Sequence, residues 1–333
     1  MRQRIRNTRW TILRSCLLML VMLGSISVVC ATETASGIQK IKIPVWGGVA
    51  PGSEELKGML GLPSEYVTPR LTVLLPPVSK RVGSFVLIVP GGGYMYCSAG
   101  REGFEVADWF LERGIAAGVV QYRRNIFRKG KEFNRVYNDN VAFADVARSM
   151  RIVRSNAAKW GIQTNKIGVI GFSAGGHVAA TMAVHPKKGD TNASDTLGKY
   201  PTRPDFMILA YPLISMAPPW GGATWRNNLL GKNFDPKMAD YFSCQKHVTP
   251  QTPPGFIVCA GDDFTLRDSL AMFKALKAEK VPCELHVFEK GKHGYGMTSP
   301  GLTITKCWPQ LLEAWLKEHD VIPVLKLESE TKK

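Results

Sequence analysis

Ile167-Gly168-Val169-Ile170-Gly171-Phe172-Ser173-Ala174-Gly175-Gly176-His177 is the stretch on which the reading of the whole chain turns. Residues 167–170 are short and apolar, as a strand buried on both faces must be. Gly171 to Gly175 then match G-x-S-x-G, and 176–184 continue with helical character. A sharp strand-to-helix turn at Ser173 would lift its hydroxyl above the sheet, and the flanking glycines remove side chains that would clash there. The helix that follows would aim its amide-rich, positive end at the same point.

Working outward, further apolar runs at 41–46, 71–75, 85–89, 116–122, 206–210, 256–260 and 284–288 bring the expected strands to eight. Helical patterns separate them. Phe143, Val146, Met150, Val153 and Ala157 repeat at 3-4-3-4, one apolar stripe. A helix over 104–113 stops at Gly114. Leu270, Phe273 and Leu276 mark another, and Leu311, Leu312, Trp315 and Leu316 the last. This alternation predicts one α/β domain, a doubly wound, mostly parallel eight-stranded sheet with helices on both faces. Residues 211–255 break the pattern: they are rich in Pro, Gly, Trp and polar residues, and too long for a simple connection. They are expected to be an insertion over the carboxyl edge of the sheet, where α/β ligand sites lie.

Three other signals converge with Ser173. Pro90-Gly91-Gly92-Gly93-Tyr94 follows directly on the run 85–89, and glycines there let backbone N–H groups approach a carbonyl that is gaining negative charge. No G-x-x-x-x-G-K-[ST] phosphate loop is present. Of the six histidines, His177 falls one turn past the serine, His286 inside a strand and His319 in the last helix. His185 and His247 precede the acidic candidates, against a Ser…Asp…His order. His293 remains, in the glycine-flanked loop Gly291-Lys292-His293-Gly294-Tyr295-Gly296. At the end of run 256–260, either Asp262 or Asp263 is placed to orient its imidazole, and spacing does not choose between them. Tyr94, Trp220 and Trp225 are aromatic candidates for stacking on a substrate ring. Neither a metal nor an organic cofactor is called for.

The amino terminus reads differently. Arg2, Arg4, Arg6, Arg9 and Arg14 precede an apolar run from Cys16 to Cys30, with Ala31 at a plausible cut, which is the pattern of a secretory signal over 1–31. A spanning helix wants about twenty apolar residues, more than this run offers. A periplasmic or extracellular protein without a stable membrane span is therefore expected. Loss of those five arginines lowers the formal charge from +16 to about +11, and the remaining cations form no stripe, which argues against nucleic acid as partner. Cys97, Cys244, Cys259, Cys283 and Cys307 remain, an odd number without metal-ligand spacing. Cys259 lies mid-strand.

Taken together, Pro90-Gly91-Gly92-Gly93-Tyr94, Tyr122-Arg123, Gly171 to His177, Tyr211-Pro212-Leu213-Ile214-Ser215, Val248-Thr249-Pro250 and Phe288 to Gly294 resemble the α/β-hydrolase superfamily. The likeness is to its acetyl-esterase and acetylxylan-esterase-like branch. It implies Ser173 as nucleophile, His293 as general base and acid, and Asp263 as the acid, since Leu266 stands three residues beyond it. It also implies an oxyanion hole from the amides of Gly92, Gly93 and Ala174. Pro90 stands where relatives often carry histidine. The expected function is a secreted serine esterase acting on carboxylic esters, acetyl esters of carbohydrate above all. A peptidase, a lipase or an inactive binding protein on the same fold are the alternatives.

Overall fold

The computed structural model describes residues 30–34, 36–53, 67–124, 141–218 and 223–323. Of the segment 1–31 read as a secretory signal, residues 1–29 lie outside them, as does Trp220. Nine strands form one sheet: β1 (Cys30–Glu33), β2 (Gln39–Pro44), β3 (Arg70–Leu75), β4 (Phe85–Val89), β5 (Ala116–Gln121), β6 (Ile167–Phe172), β7 (Met207–Ala210), β8 (Gly255–Ala260) and β9 (Cys283–Phe288). Their order is β1-β2-β3-β5-β4-β6-β7-β8-β9. From β5 to β9 all neighbours run parallel, whereas β1, β2 and β3 join antiparallel.

All eight expected strands are present, and the sheet has one more. β1 overlaps the end of the segment read as a leader and pairs Ala31 with Ile41 and Thr32 with Lys40. Ala31, Thr32 and Glu33 are all exposed. Three consecutive exposed residues on an edge strand leave no apolar pattern to read.

The parallel strands work through the twofold alternation of the pleat. Phe85, Leu87 and Val89 of β4 enter one apolar layer, Val86 and Ile88 the other. On the first face lie α2 (Val141–Trp160), α3 (Ser173–Val184) and α6 (Leu266–Ala278). The opposite face is covered by α1 (Glu105–Glu112) and α7 (Thr303–Glu318). Val146, Met150, Val153 and Ala157 of α2 are buried along the stripe their spacing predicts. α6 departs from its reading at Leu270 alone, which is exposed, while Leu276 and Phe273 pack on the core as read, joined by Met272. Residues 211–255 hold two short helices, α4 (Ala223–Leu230) and α5 (Pro236–Tyr241). Among the described residues no helix is long and apolar enough to cross a membrane. Cys97, Cys244, Cys259, Cys283 and Cys307 are unpaired thiols, and Cys259 is buried within β8.

Two buried polar centres fix how the layers meet. Arg123, just past β5, and Asp145 on α2 are an ion pair with both side chains fully buried, Nη2 to Oδ1 2.8 Å. Asp145 also accepts the Arg123 backbone N–H at 2.9 Å and the Trp46 indole N–H at 2.7 Å. The second centre is His177 on α3. Its Nε2–H donates to the Phe242 carbonyl at 2.6 Å, so Nδ1 is left as acceptor for the Tyr94 hydroxyl. Burial lowers the His177 pKa from 6.5 to about 4. The unfolded chain takes up this proton at higher pH than the folded one. Stability from this ring is complete above pH 6.5 and is lost as pH falls toward 4, by about 3 kcal/mol in all. His177→Gln can keep both hydrogen bonds without titrating. Urea unfolding at pH 7 and pH 4.5 should therefore show a smaller loss of stability for this variant than for the parent, and equal losses would refute the assignment.

Candidate active site

The site begins where β6 has to become α3. Ser173 is the first residue of the helix and holds φ at 51°. For a residue with a Cβ this left-handed conformation costs about 1–3 kcal/mol and survives only where the surroundings enforce it. Here Phe172 and Ala174 are fully buried, and the Ser173 carbonyl accepts the Leu213 N–H at 3.0 Å. Gly175 permits the tight turn: a methyl on it would stand 2.1 Å from the Val89 carbonyl oxygen and 2.4 Å from that of Pro90. The same contact lays the first turn of α3 against the glycine-rich loop. The Ala174 N–H belongs to that first turn, where an α-helix has no internal partners for its amides.

Base and acid arrive from the carboxyl ends of neighbouring strands. After β8 the chain turns through Asp262 and Asp263, and after β9 it runs into the loop carrying His293. Asp263 is buried and accepts His293 Nδ1–H at 2.9 Å (Oδ2) and 3.0 Å (Oδ1). The Thr265 N–H, 2.9 Å from Oδ1, holds the carboxylate in place. On the other side of the ring, the Ser173 hydroxyl donates to Nε2 across 2.7 Å. Asp262 serves the loop instead of the ring. Its Oδ1 accepts the N–H groups of Gly291 and Lys292 at 2.9 and 2.8 Å and so shapes the backbone that presents the histidine. The choice that spacing left open between the two aspartates is thus resolved by distance.

Behind the glycine-rich loop lies a residue that the motifs did not flag. Glu102 sits in a single π-helical turn, Gly100–Phe104, ahead of α1, and is 5% exposed. Its Oε2 accepts the Gly91 N–H at 2.9 Å, and its Oε1 accepts the Tyr211 hydroxyl at 2.7 Å. Tyr211 in turn accepts the Gly296 N–H at 2.9 Å and meets the His293 ring edge-on at 5.1 Å between centroids. One carboxylate therefore ties together the glycine loop, the start of the insertion and the histidine loop. Burial raises its pKa, opposed by the hydrogen bonds from Tyr211 and Gly91. With the Gly91 amide engaged, the amides of Gly92 and Gly93 have no partner among the described residues. Gly92 holds φ at 138°, and a Cβ there would stand 2.0 Å from the Tyr96 carbonyl oxygen, so no other residue fits. No local pattern announces Glu102, because a π turn leaves no periodic signature.

The aromatic candidates divide. Tyr94 does not face a ligand: it is 2% exposed, and its hydroxyl is taken by His177. The apolar surface beneath the glycine loop claims this ring, which is the correction the structure makes. Trp225 is half-buried beside the loop, its ring 3.6 Å from where a Cβ on Gly93 would be, and Asn228 of the same helix donates to the Gly93 carbonyl at 2.9 Å. α4 thus seats the insertion over the site. Trp225 stacks on Phe264 at 5.2 Å, and Phe264 in turn lies 4.3 Å from the His293 ring. Phe264 was not among the sequence candidates. Among the described residues no group of three or more His, Cys, Asp or Glu side chains has the arrangement of a metal site.

The chain is similar to known proteins over much of its length. A model of the alpha/beta hydrolase fold matches residues 139–297, and one of the carboxylesterase family matches 70–193. An acetylxylan esterase of Xylanibacter ruminicola is 34% identical over 245 residues, covering 72% of this chain and 43% of that protein. Endo-1,4-beta-xylanase B of Butyrivibrio fibrisolvens is 35% identical over 214 residues, 63% of this chain and 32% of its own length. The chain thus spans less than half of these two relatives. An acetyl ester-xyloside bifunctional hydrolase from Caldicellulosiruptor lactoaceticus superposes with a TM-score of 0.73 at 32% identity, covering 85% of this chain and 97% of that one.

Glu102→Gln tests the buried hub directly. An amide presents one acceptor oxygen where the carboxylate offers two, so either Gly91 or Tyr211 loses its partner. Labelling of Ser173 by a fluorophosphonate probe should slow by about tenfold or more, since small misplacements near reacting atoms are costly. The unfolding midpoint should stay within about 5 °C, because removing a buried charge offsets the lost bond. Unchanged labelling kinetics would show that Glu102 leaves the reacting groups unaffected.

Proposed function

This chain belongs to the α/β-hydrolase family, in its acetylxylan-esterase-like branch, and from that premise we propose that it is a serine esterase acting on acetyl esters of carbohydrate. The observation that carries the proposal is the hydrogen-bonded line from the Ser173 hydroxyl through His293 to the buried Asp263 carboxylate. A serine hydroxyl is a poor nucleophile until a base takes its proton, and an imidazole is a directed base only when its other nitrogen is fixed.

The reaction runs in two halves. His293 Nε2 accepts the Ser173 proton as Oγ attacks the ester carbonyl carbon. The carbonyl oxygen gains negative charge, which the amides of Gly92, Gly93 and Ala174 receive. Each such preorganised donor is worth about 3–4 kcal/mol in the transition state. His293 then protonates the departing sugar hydroxyl, leaving an acetyl-serine. Water, deprotonated by the same ring, releases acetate and restores Ser173. Asp263 remains ionised throughout and stabilises the imidazolium as it forms. The likeness to an acetylxylan esterase and to an acetyl ester-xyloside hydrolase supports acetylated carbohydrate as the substrate class. Export is part of the same proposal and rests on the basic and then apolar amino terminus.

The test is turnover of 4-nitrophenyl acetate, longer-chain 4-nitrophenyl esters and acetylated xylan, beside Ser173→Ala. Acetate-selective turnover, reduced by at least about 10³-fold in the variant, is expected. Preference for long acyl chains would instead make it a lipase, and cleavage of peptides a peptidase. No turnover of any of these would leave a binding protein. Fractionation of expressing cells should recover the protein outside the cytoplasm, with an amino terminus that begins near Thr32; a full-length cytoplasmic product would contradict export.

A further inference from the structure

Beside the Trp225–Phe264 stack lies a cavity of about 310 Å³, lined by those two rings, Leu213, Ser215, Thr224, Arg267 and Asp268. Its volume sits at the lower end of the roughly 300–1,000 Å³ of small-molecule sites. The serine chemistry makes no use of it.

The Asp268 carboxylate is the informative group. The residue is 7% exposed, and Oδ1 accepts both the Ile214 and Ser215 N–H groups, at 2.7 and 2.8 Å. Oδ2 has no protein hydrogen bond among the described residues. With no protein donor, Oδ2 takes its hydrogen bond from whatever fills the cavity, water or a ligand hydroxyl. Burial raises the Asp268 pKa to about 6, which leaves the group largely ionised at neutral pH and a strong acceptor. Aromatic walls and a carboxylate complement a sugar ring, whose C–H face is apolar and whose rim is hydroxylated. An alkyl chain would leave the carboxylate unmatched.

Position supplies the second argument. His293 must hand its proton to the leaving alcohol, so the alcohol lies on the histidine's side of the scissile bond. Phe264, which packs on that ring at 4.3 Å, also forms the wall of the cavity. We propose that this cavity is a subsite for a second sugar of an oligosaccharide, next to the one that bears the ester, with Trp225 and Phe264 as its apolar wall and Asp268 accepting a hydroxyl. The inference rests on the esterase reading for its orientation, though binding at the cavity can be measured without turnover.

Two measurements decide it. In the Ser173→Ala background, titration with unacetylated xylotriose followed by calorimetry should show binding that weakens about fivefold or more when Asp268→Asn or Trp225→Ala is added; equal affinities would overturn the subsite. In the otherwise unaltered enzyme, kcat/KM should be higher for acetylated xylotriose than for acetylated xylose. The ratio of acetylated xylotriose to 4-nitrophenyl acetate turnover should fall about fivefold in each variant. Because each ratio is taken on one preparation, partial misfolding cancels. No preference for the oligomer, or an unchanged ratio in both variants, would overturn the proposal. Failure of every ester to turn over would instead reject the esterase reading, and the xylotriose titration would still judge the cavity.

Discussion

The left-handed backbone of Ser173 is the constraint on which the rest of this structure depends. A non-glycine residue stays in that conformation only when the chain on both sides has nowhere else to go. β6 provides that on one side, with six residues buried in the middle of a parallel sheet, and α3 on the other, with all twelve residues buried. The absent side chain at Gly175, the antiparallel extension through β3 and the helices on each face all serve to make that strand and helix immovable.

Buried polar groups finish what apolar packing cannot. Two apolar layers could slide by a residue at modest cost, but an ion pair such as Arg123–Asp145 cannot, because separating it would strand a charge in the interior. It locks the end of β5 to α2, and with them the connection that leads to β6. His177 locks α3 to Tyr94 and Phe242 in the same way, through a single tautomer. Glu102 does so for the loops of the site.

Much of this was legible from residues alone, and the reason is physical. Strands buried on both faces must be short and apolar, so the runs at 85–89 and 256–260 announce β4 and β8. A serine at a strand-to-helix turn needs small neighbours, so Gly171 and Gly175 announce the elbow. His293 followed by elimination, and glycines on both sides marked its loop. What stayed hidden depends on contacts distant in sequence. Asp262 and Asp263 are chemically identical, and only the carboxylate's distance from His293 Nδ1 or from the Gly291 amide separates their roles. Glu102 meets its partners 11 and 109 residues away. β1 is held by backbone bonds, which carry no residue preference. Tyr94, adjacent to three glycines, looked exposed because such loops usually are. α4 covers this one, and the ring turns inward.

The chain of donors that ends on Glu102 also bears on motion. The Gly91 and Gly296 amides lie about two hundred residues apart, yet each is shielded from solvent by the same side-chain assembly, Glu102 with Tyr211. Water can reach either amide only if that assembly opens. Their deuterium uptake should therefore rise and fall together, as one small cooperative unit that breathes independently of the sheet beneath it.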